Sequence, residues 1–466
     1  NLHLPPSLTE EEMLSLIDKY IDSDAVNINV LRKIIHFPAK KKLHITDKIK
    51  LHAKRKEKEE TDRIFSQETA IESVVSIKYE TDLEKAILSN ADGEEISFVV
   101  NLDWIKDNKD YPTLWNNFIH LFGIVDNTMR STVVSKTHDM STFESLFSPT
   151  GDHLYTKSLA FNIREMIANA QIYSYIKVLE VLEVRIEDMI EWFFQEYLVD
   201  EFVINNFTVK MPTEFSSYSE KCRAILPEID KIFKQYNVLI EDGEIDQELI
   251  QISSSSKKII DVKSFIRLKY AYPIGEWYKK ASFLLFSNQS RISYIIDKKE
   301  IHNNFLDLIM HNDVKKNEFK EYQIQQINWL FENNIIVEAD DGNMRIADDE
   351  TVFILKELHD KDVLNYWHYP KSLRHLLDIW ETKDKITFES SLFTRNEQNY
   401  FNYYLNKQQF TNGYDLRNRY LHGTNPDDKK QHELDYFSIL KLFIIIIIKI
   451  NDDLCLRDDN SEITSE

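Results

Sequence analysis

The sequence predicts a mostly α, multidomain protein, with a small β-containing N-terminal module, a winged-helix-like unit further on and a helical bundle at the C-terminus. Three observations predict it. Apolar residues make up 42% of 466 residues, which suits a globular chain of two to four domains. The stretches Tyr173 to Phe194 and about His432 to Leu454 carry apolar residues at helical spacing. Turn-forming residues between short apolar runs occur at Asn90 to Gly93 and at Asp340 to Asn343, where hairpins are expected.

Residues 1–60 read as a helical start and a basic arm. Thr9 followed by Glu12, with Leu14, Ile17 and Ile21 behind, has the form of a capped amphipathic helix. Basic residues then crowd from Lys40 to Lys58, with only Asp47 and Glu57 against them. Such a run is a solvated helix or linker, or alternatively an arm on which Lys54, Arg55 and Lys56 contact phosphates. Residues 61–142 form the small β-containing module, in which Val74 to Tyr79 alternates and Ile87 to Val100 folds back on itself. Residues 143–280 are a helical domain, with Ser253 to Ser256, followed by Lys257 and Lys258, as its linker.

Residues 281–365 predict the winged-helix-like unit: two short helices, a helix from Glu321 to Asn333, then Ile335–Glu338 and Met344–Ile346 as a wing. The wing is acidic, which favours packing between domains over docking to nucleic acid. Residues 366–457 form the C-terminal helical domain, in which 370–455 read as helices throughout. They include Ser372 to Trp380, Glu397 to Asn406, a helix through Tyr414 to Leu421 that stops near Gly423, and a last helix from about His432 to Leu454. Asn412-Gly413 and Asn425-Pro426 supply the turns. Residues 458–466 form an acidic tail, and Asp452-Asp453 beside it read as solvated.

The formal net charge of −21 argues against general affinity for nucleic acid, so any RNA contact must be local. The two cysteines, Cys222 and Cys455, suit a reducing, cytoplasmic location and supply no disulfide framework or zinc site. His36, His44 and His52 lack partners at metal spacing, and no glycine-rich phosphate loop occurs; neither metal nor cofactor is expected. The longest apolar run, Leu442 to Ile448 between Lys441 and Lys449, is far shorter than the roughly 20 residues of a membrane span. No secretory signal is visible; the chain begins at Asn1, which leaves a missing start, an upstream segment and processing as alternatives.

The segment with chemical content is Gly413-Tyr414-Asp415-Leu416-Arg417-Asn418-Arg419-Tyr420-Leu421-His422-Gly423. It resembles the HEPN superfamily, whose mark is an Arg, a polar residue, a short spacer and a His. Arg417, Asn418 and His422 match that mark, behind an aromatic-rich helix and ahead of a long apolar one. The resemblance covers about residues 370–455 and is nearest to domains that end prokaryotic abortive-infection and toxin-like proteins. It implies a metal-independent endoribonuclease of a defence or toxin system, acting as a homodimer on RNA, with a regulatory or antitoxin protein as a further partner. It equally accommodates a non-catalytic assembly module, or a HEPN partner or target of a nucleotidyltransferase.

The residue types carry the chemistry independently. RNA cleavage by its own 2′-hydroxyl needs one proton removed and one delivered, which an imidazole with a reference pKa of about 6.5 can do. Arg417 offers a planar fork of donors to phosphate, and Asn418 can donate to phosphate or orient the imidazole. Arg419 is expected to be solvated or on RNA, and Asp415 to be a local cap. Positions 417 and 422 lie about 140° apart on a straight helix, so they do not converge within one chain. Either the helix ends before His422, or two copies face each other. The bland alternative is that Arg417 pairs with Asp415 or another acid and His422 caps the helix.

Overall fold

The computed structural model describes residues 4–5, 7–23, 25–37, 43–65, 74–92, 95–141, 144–145, 148, 151, 153–252, 258–295, 302–423 and 428–463. Lys40 to Lys42, Gly93, Ser253 to Lys257 and the Asn425-Pro426 turn lie outside the described residues.

Three helices open the chain: α1 (Glu10–Ile21), α2 (Ile28–Ile35) and α3 (Asp47–Phe65). The capping box expected at α1 is formed, with Thr9 N–H donating to Glu12 Oε2 at 2.8 Å and Glu12 N–H to Thr9 Oγ1 at 3.3 Å. Ile17, Ile21, Leu31, Ile34, Leu43, Ile45 and Ala53 close a small core of their own. The basic stretch from Lys48 to Lys58 is therefore ordered helix, and α3 runs past residue 60, where the sequence placed a boundary.

Next come β1 (Val74–Glu80), β2 (Ile87–Asp92) and β3 (Glu95–Asn101). β2 and β3 pair antiparallel as the expected hairpin, and β1 joins β3 in parallel, giving the order β1-β3-β2. α4 (Leu102–Asp107) and α5 (Tyr111–His120) follow, then α6 (Leu159–Val181), α7 (Ile186–Trp192) and α8 (Leu198–Phe202). The single helix expected over Tyr173 to Phe194 is broken. After Val181 the helix is ended by a turn through Glu183 at φ +62°, and Val184 N–H returns to the Leu179 carbonyl. No glycine or proline announces this turn; burial of Ile186, Met189 and Ile190 on the far side holds a backbone conformation that non-glycine residues rarely adopt.

α9 (Tyr218–Asp242) and α10 (Gln247–Ile252) lead to a second unit: β4 (Tyr270–Pro273), α11 (Gly275–Phe286), α12 (Phe305–His311), α13 (Glu321–Glu332), β5 (Ile336–Glu338), β6 (Met344–Ile346), α14 (Asp349–Lys361), β7 (Leu364–Asn365), α15 (Lys371–Thr382) and β8 (Ile386–Glu389). The wing forms where expected, β5 pairing antiparallel with β6. The unit is larger than 281–365, because its core runs from Ala271 to Ile386. α15 packs here through Leu377 and Trp380, not in the C-terminal bundle. Residues 370–455 are also not helical throughout, since β8 pairs with β4 in the order β7-β4-β8.

α16 (Arg395–Leu405), α17 (Leu416–Leu421) and α18 (Lys429–Ile463) complete the chain. They share one core with residues 100–262, so the expected domains 143–280 and 366–457 form a single body into which the winged unit is inserted. α18 lies in its middle. Ile444 to Ile448 are all buried, although consecutive β-branched residues also suit strands; a helix that is apolar all round is stable when surrounded. The lysines bounding that run are themselves buried. Lys441 bonds Glu165, and Lys449 meets Glu397 Oε1 at 3.2 Å.

Asp452 and Asp453 are not solvated. Asp453 is fully buried and accepts from Tyr236 Oη at 2.7 Å, Phe265 N–H at 2.8 Å, Ser264 and Lys269. Asp452 meets His368 Nε2 at 2.6 Å. The pair thus ties α18 to the segment that leads into the winged unit and to His368 within it, and α18 itself extends into the stretch read as acidic tail. Among the described residues no helix is long and apolar enough to cross a membrane.

Candidate functional site

The approach to α17 is fixed by Asn412 and Gly413. Asn412 exchanges two hydrogen bonds with the backbone of Tyr155, both at 2.9 Å. A Cβ at Gly413 would stand 2.7 Å from the Tyr403 carbonyl oxygen, a backbone atom that cannot give way, so only glycine fits there. Tyr414 N–H then donates to that same carbonyl at 2.8 Å, and the Tyr414 ring stacks on Tyr404 at 5.0 Å. The Asn-Gly read as a break in the sequence is a docking point between the chain ahead of α6, α16 and α17.

α17 has two faces of one helical turn each. Leu416 and Tyr420, four residues apart, are buried. The Tyr420 hydroxyl donates to Asp435 Oδ2 at 2.7 Å, and with its one proton so used it accepts from His432 Nδ1 at 2.8 Å. Asn418 and His422, also four residues apart, are exposed together. Asn418 Nδ2 donates to Asp415 Oδ1 at 2.9 Å. Asp415 occupies the residue before the helix in a left-handed conformation and makes no capping bond to it; its carboxylate holds Asn418 and the Lys407 N–H instead. The cap expected there is replaced by a side-chain clasp.

The helix does stop as Gly423 suggested, with φ +68° at that glycine. The stop comes too late to bring His422 round to Arg417. His422 N–H still donates to the Asn418 carbonyl at 3.0 Å, so the backbone is helical up to the imidazole-bearing residue. Arg417 turns toward α9 and donates through Nη2 to Asp230 Oδ1 at 2.6 Å. Burial raises the Asp230 carboxyl above its usual value, and the Arg417 charge opposes the rise. Arg419, expected to be solvated or on RNA, is paired with the buried carboxylate of Asp435 at 2.8 Å.

The structure therefore gathers Asn418 and His422, and sets Arg417 apart from them. On α3, Lys54 and Arg55 are exposed, whereas Lys56 lies 3.4 and 3.5 Å from Glu59 and Glu60. The N-terminal unit touches the loop ahead of α17, where Thr411 Oγ1 donates to the His36 carbonyl at 3.2 Å. Among the described residues no group of three or more His, Cys, Asp or Glu is placed to hold a metal ion. His52 does have acidic partners, Asp18 and Asp22, at 2.9 and 3.0 Å, but as an ion-pair clasp between α1 and α3.

No family model, curated protein or solved structure matches the chain.

What the arrangement can do is therefore argued from its residues. An exposed imidazole beside an amide can exchange a proton with a bound ligand. The half-buried guanidinium of Arg417, turned away from them toward α9, uses Nη2 on Asp230, and its Nη1 has no hydrogen-bond partner among the described residues. Sequence reading missed Asp230, Asp435 and His432. Asp230 sits 187 residues from Arg417 along the chain, and nothing local to either marks the pairing.

Proposed function

We propose that the protein is a HEPN-type endoribonuclease effector of a prokaryotic defence or toxin system, working in the cytoplasm without a metal. The observation that carries this reading is the exposed Asn418–His422 pair on a short helix bedded between the aromatic α16 and the long apolar α18. In the proposed reaction His422 takes the proton of the 2′-hydroxyl, whose oxygen bonds to the adjacent phosphorus as the bond to the 5′-oxygen breaks. A second imidazole, from another copy of the chain, protonates that leaving oxygen. The products are a 2′,3′-cyclic phosphate and a 5′-hydroxyl end. Arg417 Nη1 and Asn418 steady the charge on the phosphate oxygens.

A second reading is favoured by one observation. The Arg417–Asp230 bond is the kind of ion pair that holds helices together, so the domain can equally be a non-catalytic assembly module, or the partner or target of a nucleotidyltransferase. His422→Ala separates the two. The expected result is cleavage that persists in EDTA, leaves cyclic-phosphate ends and disappears in the variant, while the melting temperature holds because His422 is exposed. A stable His422→Ala protein that still cuts would remove the nuclease assignment from this site.

A further inference from the structure

An open groove of about 1450 Å³ runs between the helical body and the inserted winged unit, away from the α17 residues. Its floor includes two imidazoles contributed by the two units. His138 comes from the body and His359 from α14, and their rings stack at 3.8 Å with an angle of 29°. Each is fixed from behind. His359 Nδ1 lies 2.7 Å from the hydroxyl of the buried Ser282, and burial lowers the His359 imidazole to about 4, so it is neutral near pH 7. His138 follows Thr137, whose N–H donates to Asp362 Oδ2 at 2.8 Å, and precedes Asp139, which pairs with Arg164. His138 itself is exposed.

The charges of the groove suit an anion better than the chain as a whole does. Among the described residues its lining holds two carboxylates, Asp139 and Asp362, and both are already engaged by internal donors. The cations Lys279 and Arg395 line it with 70% and 49% of their side chains exposed. Lys279 pairs with the exposed Glu276, a bond of the kind that contributes little and yields to a stronger anion, whereas Arg395 gives Nε and Nη2 to Glu389 and keeps about half of its side chain exposed. Phe283, 45% exposed, adds a further apolar ring surface.

We infer that this groove binds a single-stranded nucleic acid, a base stacking on the free face of His138 and phosphates reaching Lys279 and Arg395. An aromatic platform beside cations is the arrangement that holds unpaired bases without reading their sequence. The groove exceeds the roughly 300–1,000 Å³ of small-ligand pockets, which points to a strand over a lone nucleotide. Because the platform is built from both units, a bound strand would brace the winged unit against the body. The inference does not rest on the nuclease reading.

The test is fluorescence anisotropy with a labelled twelve-nucleotide 2′-O-methyl oligoadenylate, which cannot be cut through its 2′-oxygen. Binding is thus read independently of cleavage. Lys54, Arg55 and Lys56 are first changed to Gln so that α3 does not mask the groove. Binding at about 50 mM salt that weakens at about 200 mM is expected. His138→Ala should weaken it about tenfold, and His138→Phe, which keeps a stacking face, should stay near the parent. Equal binding by His138→Ala, equal weakness of His138→Phe and His138→Ala, or no binding by the parent would each overturn the site. ATP binding as tightly as the oligonucleotide would overturn the assignment of a strand.

Discussion

Arg417 on α17 and Asp230 on α9 meet at 2.6 Å, with about a quarter of each side chain still exposed, at 26% and 23%. The arginine of the candidate motif is therefore both a structural clasp and a phosphate-binding candidate. Arg417→Ala leaves Asp230 without its cation, and a loss of about 1–2 kcal/mol is expected, between an exposed pair and a buried one. Adding Asp230→Ala should recover most of that stability. Under the proposed function it should not recover cleavage. Thermal melting and cleavage assays on both singles and the double check this, and recovery of cleavage would take Arg417 out of the chemistry.

Asp230 also predicts a pH dependence. Its folded carboxyl titrates above the ordinary 3.8, through burial first, against the pull of Arg417. Between 3.8 and the raised value the folded state holds a proton that the unfolded chain has released. Its contribution is thus most favourable below 3.8 and declines as pH rises through the folded value. Asp230→Asn removes the titration. The melting temperature of the variant relative to wild type should rise between about pH 4 and pH 7, and a flat difference in calorimetry would contradict the burial argument.

Because the helix stays regular up to His422, Arg417 and His422 remain about 140° apart, and the proposed site needs a second copy. Residues 365–466 cannot be used alone to test this, since they share their core with residues 100–262. Analytical ultracentrifugation of the full chain is expected to show a dimer, with cleavage falling on dilution as dimers dissociate. Cleavage by a species that sediments as a monomer would refute the shared site.

The cations of α3 are not equivalent. Lys54 and Arg55 are exposed, while Lys56 is held by Glu59 and Glu60. Neutralising Lys54 or Arg55 should weaken RNA binding and reduce the logarithmic salt slope by roughly one or less per residue. Neutralising Lys56 should do less, and none of the three should change the ends left by cleavage. Filter binding across a salt series measures the slopes.

Asp453→Ala strips the buried Lys269 of its nearest carboxylate and leaves the Tyr236 hydroxyl without its acceptor. A loss of about 3–5 kcal/mol is expected, as for other broken buried pairs. Urea unfolding measures it. A change within roughly 0.5 kcal/mol would mean that the network is not what couples α18 to the winged unit.

By itself the sequence determined the local elements. Thr9 with Glu12 set the start of α1, the runs around Asn90 to Asp92 and Asp340 to Asn343 set two hairpins, and Gly423 set the end of α17. These follow from interactions within a few residues, which periodicity and turn chemistry report. It also placed Asn418 and His422 one turn apart, where the structure exposes them together. Only the tertiary structure decided which segments share a core. Glu165, Asp230, Tyr236 and Lys269 are charged or polar residues that a local reading assigns to solvent. Glu165, Tyr236 and Lys269 are buried or half-buried because α18, apolar all round, must be enclosed and its own Lys441 and Asp453 need partners from distant segments, while Asp230 is drawn in by Arg417 on α17. The same enclosure turned Arg417 and Arg419 inward to Asp230 and Asp435 and took Asp452 and Asp453 out of the tail. The Arg417–Asp230 and Lys269–Asp453 pairings span 187 and 184 residues, and pairings so distant leave no mark in the residues beside them.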